Sequence, residues 1–474
     1  MAAYADFIVA IDLGTSRLTG MAGRKNASGA LTVVACETED AAIGIRRGCV
    51  FNIEETATKI KSLVRRLELK AGGTGIAKVY VGIGGQSVCS IDHSVAKDLG
   101  EEQEVTEETL DMLHEECRAY QPELSDVLDI VPPSYRVDGK LVTNPVGVPC
   151  KRIEACFKLI VGRPSLRKHI INSISDRAQI KIAGIIISPL ALADVVLTDN
   201  EKELGCILVD FGAGVTSLSV YKGGTLQYLC VIPLGGRLIT KDLTTLNIIE
   251  AEAERVKITY GNAVADREDE TTVQVNAAES ASPCDIRLSE INNIVEARAK
   301  EILENVFARL ESTEVAKSLG AGVVITGGAS NLRNIAELMQ KRLKKEVRYA
   351  FLRKGLLDND SIHYNTPENI VALSLLLLPD AENCAVRPAP PVVPSPTTVS
   401  PAADPAKEPG TAQAPPVSAT QASPASKDPQ ETQASQPKAS PKEEKPQDKP
   451  KGKNGRIKKT FMNIMGNLFA DETA

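Results

Sequence analysis

Several things are scarce in this chain of 474 residues, and each scarcity removes a class of function. There are only four histidines, and the ten cysteines contain no Cys-x-x-Cys pair, so neither a zinc framework nor a disulfide scaffold is indicated. The cysteines read instead as buried free thiols in a reducing compartment. Net charge is -6, and the body carries no basic stripe of the kind that nucleic acid requires. No run approaches the ~20 apolar residues needed to cross a bilayer. The N-terminus has neither a basic n-region nor a long apolar core, so no signal peptide is expected and the protein reads as cytoplasmic. Tryptophan is missing altogether, and residues 387–450 hold no aromatic residue of any kind.

What is present is a globular balance, 43% hydrophobic and 24% charged, in a chain long enough for two or more domains. Composition changes near residue 380. Sixteen of the 27 prolines fall between 387 and 450, among Ala, Ser, Gln, Lys and Glu. Such a segment cannot bury enough apolar surface to offset ordering, and reads as a disordered tether. Its 64 residues span roughly 45 Å r.m.s. as a flexible coil. Upstream, strand-like runs (7–11, 32–36, 78–83, 153–161, 182–187, 206–209, 216–221, 323–326) alternate with helix-like ones (54–69, 107–120, 164–178, 288–310, 332–344). The pattern is α/β. Pro164 and Asn331 stand where helices are expected to start.

Two short stretches repeat one device. IVAIDLGTS at 8–16 and ILVDFGAG at 207–214 are each an apolar strand ending in Asp-x-Gly and small residues, followed by a second strand. A small-residue hairpin tip lets backbone N–H groups approach an anion, because no Cβ stands in the way. Gly14, Thr15 and Ser16 form one tip; Gly212 and Gly214, with the hydroxyl of Thr216, form the other. Asp12 and Asp210 close the two strands beside the expected phosphates. A carboxylate there repels phosphate unless a divalent cation lies between, and Mg²⁺ needs few protein ligands. Either motif alone is also an ordinary strand-turn-strand; two facing hairpins form a clamp for a triphosphate. A third stretch, GVVITGGAS at 322–330, ends a strand in Gly327-Gly328, which permits close approach of adenosine. Glu254 and Lys257, three apart on one helix face, can hold ribose or base, or form a solvated pair.

Residues 456–469 read RIKKTFMNIMGNLF. Ile457, Phe461, Ile464 and Leu468 form one stripe at helical period, widened by Met465 and Phe469. Lys458 lies at its flank, Arg456 and Lys459 lie away from it, and Lys451 and Lys453 precede it. About thirteen helical residues span only ~20 Å, too short to cross a membrane but suited to lying in its surface. A helix docking onto a partner is the other reading.

Hairpin, hairpin and Gly-Gly strand, in this order, resemble the phosphate-1, phosphate-2 and adenosine motifs of the actin-like ATPase superfamily. With TNPVG at 143–147, LTDNEKELG at 197–205, AERVKITYG at 253–261 and TGGASNL at 326–332, the chain more closely resembles the bacterial cell-division FtsA family. The resemblance implies a two-lobed actin-like fold with an FtsA-type 1C subdomain. Subdomain 1A is then 1–85 and 164–198, 1C is 86–163, 2A is 199–245 and 319–380, and 2B is 246–318. A linker at 381–455 and a membrane-targeting helix at 456–474 follow. It also implies ATP with Mg, contact with the division GTPase FtsZ through 2B, and self-association into filaments. Later division proteins, and a place on the cytoplasmic face of the inner membrane at the septum, are implied too. Residues Ala263 to Asp285 look loop-rich. Ala213, Val215, Ser217 and Arg17 stand where the family usually has Gly, Thr, Asp and Lys.

Signs of a catalyst are few. There is no Walker A sequence, Gly-x-Ser-x-Gly elbow or His-Glu-x-x-His. GIGG at 82–85 lacks the last glycine of a dinucleotide fingerprint, with Ser87 in its place. The segment ISPLAL at 187–192, where the superfamily often positions the attacking water, has no Gln, Glu or Asp. Weak ATP hydrolysis at most is expected. The alternatives are a PilM-like pilus-assembly ATPase, which usually lacks such a tail, and a small-molecule kinase, which needs a catalytic Asp that the sequence does not offer.

Overall fold

A computed structural model describes residues 7–26, 29–276, 283–377 and 383–386. The tether and the terminal amphipathic stripe lie outside the described residues.

Two sheets are built to one plan. In the first, strands run in the order Lys181–Ile187, Lys78–Ile83, Phe7–Leu13, Arg17–Lys25, Leu31–Asp40. The second begins Val347–Tyr349, Val323–Thr326, Cys206–Phe211, Thr216–Lys222, Thr225–Ile232. In each, a central strand pairs antiparallel with the strand that follows it in sequence, and parallel with one reached through a crossover. A further parallel strand lies outside that one. Parallel neighbours need helical crossovers that cover both faces, so these strands are buried and read as apolar runs. FIVAI at 7–11 and CILV at 206–209 are fully or almost fully buried.

Helix packing follows the side-chain pattern. Asn52 accepts from the Glu55 N–H and so caps the helix Ile53–Lys70, which buries Ile60, Leu63, Val64 and Leu67 at i, i+3, i+4, i+7. Gly20 lets that helix lie close to the sheet: a Cβ there would meet Leu67 at 2.8 Å. The second lobe buries Val295, Ala299, Ile302, Val306 and Phe307 of Leu288–Glu311.

The second sheet continues past Thr225–Ile232 through one register pair, Cys230 with Cys89, into Cys89–Glu104, Pro149–Gly162, Asp126–Val137 and Lys140–Val142. With the helix Glu107–Ala119 these strands enclose a small core of their own around Phe157, Ile153 and Leu113. Pro132 and Pro133 sit where the register with Pro149–Gly162 slips, which spares the sheet two missing N–H donors.

Some expectations need correction. The body does not end at residue 380, and 319–380 is not all second lobe. Helix Ile370–Leu376 packs on the first sheet and buries Ile370, Leu373 and Leu375 in its core. Residues 383–386 are held there too: Cys384 N donates to Phe7 O at 2.6 Å, and Val386 N to Gly75 O at 2.9 Å. After Thr326 the chain makes a 3₁₀ turn, Gly328–Asn331, and the helix starts only at Ile335 behind a left-handed Asn334. The stretch 263–285, expected to be loop-rich, is loop over residues 263–271 and then contributes the strand Thr272–Asn276 and the start of its partner Pro283–Arg287.

Candidate nucleotide site between the lobes

The two Asp-x-Gly hairpins occupy equivalent register positions. Asp12 pairs with Thr19, and Asp210 with Ser217, each seven residues on. Gly14 and Gly212 play the same part: a Cβ would meet the carbonyl oxygen of Arg17 at 2.6 Å and of Val215 at 2.8 Å. In the second hairpin Gly212 N donates to that oxygen at 2.9 Å. The tips approach one another across the cleft. A Cβ on Gly214 would lie 2.5 Å from Thr15 Oγ1, so only glycine fits there. Thr15 Oγ1 is fixed by the Gly48 N–H at 2.8 Å. Gly236 N and Arg237 N donate to the carbonyls of Gly212 and Ala213, bracing the second tip from behind.

Between the tips and the Gly327-Gly328 turn lies a cavity of about 430 Å³. It is lined by Asp12, Gly14, Thr15, Ser16, Asp210, Gly212, Gly214, Glu254, Lys257, Gly327 and Gly328, so eleven of the twelve expected site residues come together. Thr216 does not reach the cavity wall. It is fully buried, and its hydroxyl donates to Leu234 O at 2.8 Å. By register it matches Leu18 in the first hairpin, a core position. Arg17, Ala213, Val215 and Ser217 do line the cavity.

Asp12 and Asp210 lie at the floor, each half-buried by solvent exposure but densely surrounded by protein. Burial pushes Asp12 up to about 6, with Arg17 pulling the other way. Burial and then the charge of Asp12 push Asp210 up to about 7. Two half-buried carboxylates that repel each other favour a proton or a divalent cation between them. Among the described residues no three His, Cys, Asp or Glu side chains converge as a metal site. A cation here would draw its remaining ligands from water and phosphate, the habit of Mg²⁺.

On the other wall Gly327 has φ +86 and ψ 157, and a Cβ there would lie 2.3 Å from Asp210 Oδ1. Glu254 and Lys257 are not merely a solvated pair. Lys257 Nζ donates to Glu254 Oε2 at 2.6 Å and to Thr240 Oγ1 at 2.9 Å, and Thr240 donates to Glu254. Beside them Ile239, Ile258 and Leu332 give an apolar surface, with Ile258 72% exposed. The lining also includes Gly82, Gly84, Ser188, Gly236, Asn331 and Glu368, none of them anticipated as site residues. For Gly82 and Gly84 a signal existed in GIGG, which is a close-approach strand end here. A Cβ on Gly82 would meet Ser188 Oγ at 2.5 Å and Asp12 Oδ1 at 3.5 Å.

A family model described as cell division protein FtsA matches residues 207–374. A second, for the SHS2 domain inserted in FtsA, matches 85–161. The FtsA protein of Porphyromonas gingivalis is 36% identical over 367 residues, covering 77% of this chain and 76% of that protein. The chain belongs to the FtsA family of cell-division proteins. The Neisseria meningitidis FtsA is 31% identical over 396 residues, 80% of this chain and 94% of the relative. Among solved structures, a PilM–PilN type IV pilus biogenesis complex superimposes with a TM-score of 0.53 at 17% identity, over 78% of this chain and 97% of that one. That likeness concerns fold alone, and the FtsA-family chain has the two-lobed actin-like ATPase fold with an SHS2 insert. Among the described residues, no helix is long and apolar enough to cross a membrane.

Proposed function

We propose that this FtsA-family protein binds Mg-ATP between its lobes and uses the bound state to assemble, tethering FtsZ filaments to the inner face of the cytoplasmic membrane at the septum. The observation that carries the nucleotide part is the convergence of two register-equivalent Asp-x-Gly hairpins and a Gly-Gly turn on one cavity. The residues present fit the group. Asp12 and Asp210 would face Mg²⁺ through water. Gly14, Thr15, Ser16 and Gly214 would offer backbone and hydroxyl donors to phosphates, while Gly212, its own N–H held by Val215 O, would shape the second tip beside them. Gly327, Gly328, Glu254 and Lys257 would take adenosine. The cation would neutralise phosphate charge against the two carboxylates. Ser188 and Pro189 are the cavity residues contributed by 187–192, and neither carries a carboxylate or amide to orient a water. Weak hydrolysis at most fits that lining, and it disfavours the small-molecule kinase.

The partner assignments rest on family membership. FtsZ binding is placed on 2B, about residues 246–318, filament growth on lobe-to-lobe contacts that do not close, and membrane attachment on 456–469. A pull-down with FtsZ tests the reading most broadly. Retention of intact FtsZ, and its loss when the C-terminal peptide of FtsZ is deleted, is expected. Equal retention of both, or of neither, overturns the assignment.

A further inference from the structure

We propose that Glu368 and Asn331 form a latch between the lobes that sets how fast a nucleoside triphosphate leaves the cavity, an inference that rests on the nucleotide reading above. Glu368 precedes the helix Ile370–Leu376, which is built into the first lobe. Asn331 ends the Gly328–Asn331 turn of the second lobe. Asn331 Nδ2 donates to Glu368 Oε1, a hydrogen bond between cavity walls of different lobes. Arg17, in the first hairpin, fixes the backbone behind it: Nη2 donates to Glu368 O at 2.8 Å and reaches Asn369 Oδ1 at 3.4 Å. The Glu368 side chain also rests over the Gly-Gly turn, with its Cγ 3.8 Å from where a Gly328 Cβ would stand. Arg17, Glu368, Asn331 and Gly328 thus make one continuous strap from the phosphate-1 tip to the adenosine turn. At the rear the second lobe is tied to the chain connecting the lobes by Arg348, which donates to Glu201 at 2.7 and 2.8 Å and to Val196 O at 3.1 Å. With the rear held, separation at the mouth requires Asn331 and Glu368 to part.

A ligand enclosed by both hairpins and the Gly-Gly turn leaves only when the walls separate. Loss of the latch therefore accelerates release more than it alters capture. Glu368→Gln keeps an acceptor for Asn331, whereas Glu368→Ala and Asn331→Ala each remove the bond. A hydrogen bond of this exposed kind to a charged acceptor corresponds to about three- to tenfold in rate. Because one bond is shared, the double alanine variant is no faster than either single.

The test is stopped-flow release of a fluorescent ATP with Mg²⁺ from the full chain, chased with unlabelled ATP, with association measured separately. Amide hydrogen exchange over 328–334 in nucleotide-free protein accompanies it. Faster release and faster exchange in both alanine variants, no additivity in the double, and near-parental behaviour of Glu368→Gln are expected. A parent that binds no Mg-ATP overturns the nucleotide reading, and the release claim falls with it. A parent that binds, with release unmoved by the alanine changes or accelerated additively, overturns the latch alone.

Discussion

Replacing Gly327 with alanine strikes the point where the Gly-Gly turn and the strand that ends in Asp210 meet. Its φ of +86 and ψ of 157 lie in a region that only glycine populates readily, and a side chain held there costs about 1–3 kcal/mol. The new Cβ would also stand 2.3 Å from Asp210 Oδ1 and 2.4 Å from Phe211 O. Phe211 O is backbone in the hairpin strand, so the turn must move away, at about 1–3 kcal/mol more. The total is about 2–6 kcal/mol, and the displacement opens the cavity wall at the same time. Gly139 supplies the control: φ is +80 but nothing lies within 4 Å of its Cβ position, so Gly139→Ala costs only about 1–2 kcal/mol. Urea unfolding followed by circular dichroism compares the two, and titration with Mg-ATP reads the site. Gly327→Ala is expected to lose more stability than Gly139→Ala and to bind nucleotide at least ~10-fold more weakly, a difference of about 1.4 kcal/mol. If the two variants unfold at the same urea concentration, the close approach of turn and hairpin is not what holds this wall together.

Other outcomes follow from the same geometry. Asp210→Asn removes one of two half-buried, mutually repelling carboxylates, so the nucleotide-free protein should gain on the order of 2 kcal/mol while Mg-dependent ATP affinity drops; a destabilised apo protein would contradict this. Arg348→Ala strips a two-pronged contact from half-buried Glu201 and a bond from Val196 O, and is expected to cost about 2–4 kcal/mol in urea unfolding; a loss under about 0.5 kcal/mol, the scale of an ordinary surface change, speaks against a structural hinge. In the tail, Phe461→Glu removes an apolar side chain from the proposed membrane stripe and adds a carboxylate, so partitioning onto anionic vesicles should fall about tenfold or more. Pelleting like the parent would make the segment a partner-binding helix. Binding that survives the substitution but vanishes at high salt would make the basic cluster alone the anchor.

The parts of this fold legible in the sequence were those written as local pattern. Both hairpins announce themselves because a buried parallel strand must be apolar and a close-approach tip must be small, and those constraints fall on consecutive residues. Hidden parts depend on contacts distant in sequence. Glu368, just before the helix Ile370–Leu376, and Ser188, the first residue of the helix Ser188–Val196, reach the cavity through the packing of those helices, which no local motif records. Thr216 was misjudged because a hydroxyl two residues past a tip looks available, yet strand alternation turns it inward. The strand Asp126–Val137 is masked by Pro132-Pro133, tolerated here at a register slip. The return of 370–376 and 383–386 to the first lobe is a topological fact: an apolar run such as IVALSLL reads as buried but does not say against which sheet.

Calorimetric titration of Mg-ATP into the parent chain and into Asp12→Ala and Asp210→Ala tests the central claim most directly. Saturable binding of one nucleotide per chain, weakened at least ~10-fold in each variant and dependent on Mg²⁺, is the expected result. Unchanged affinity in both variants would mean that the two hairpins, for all their matching register, are not a nucleotide clamp.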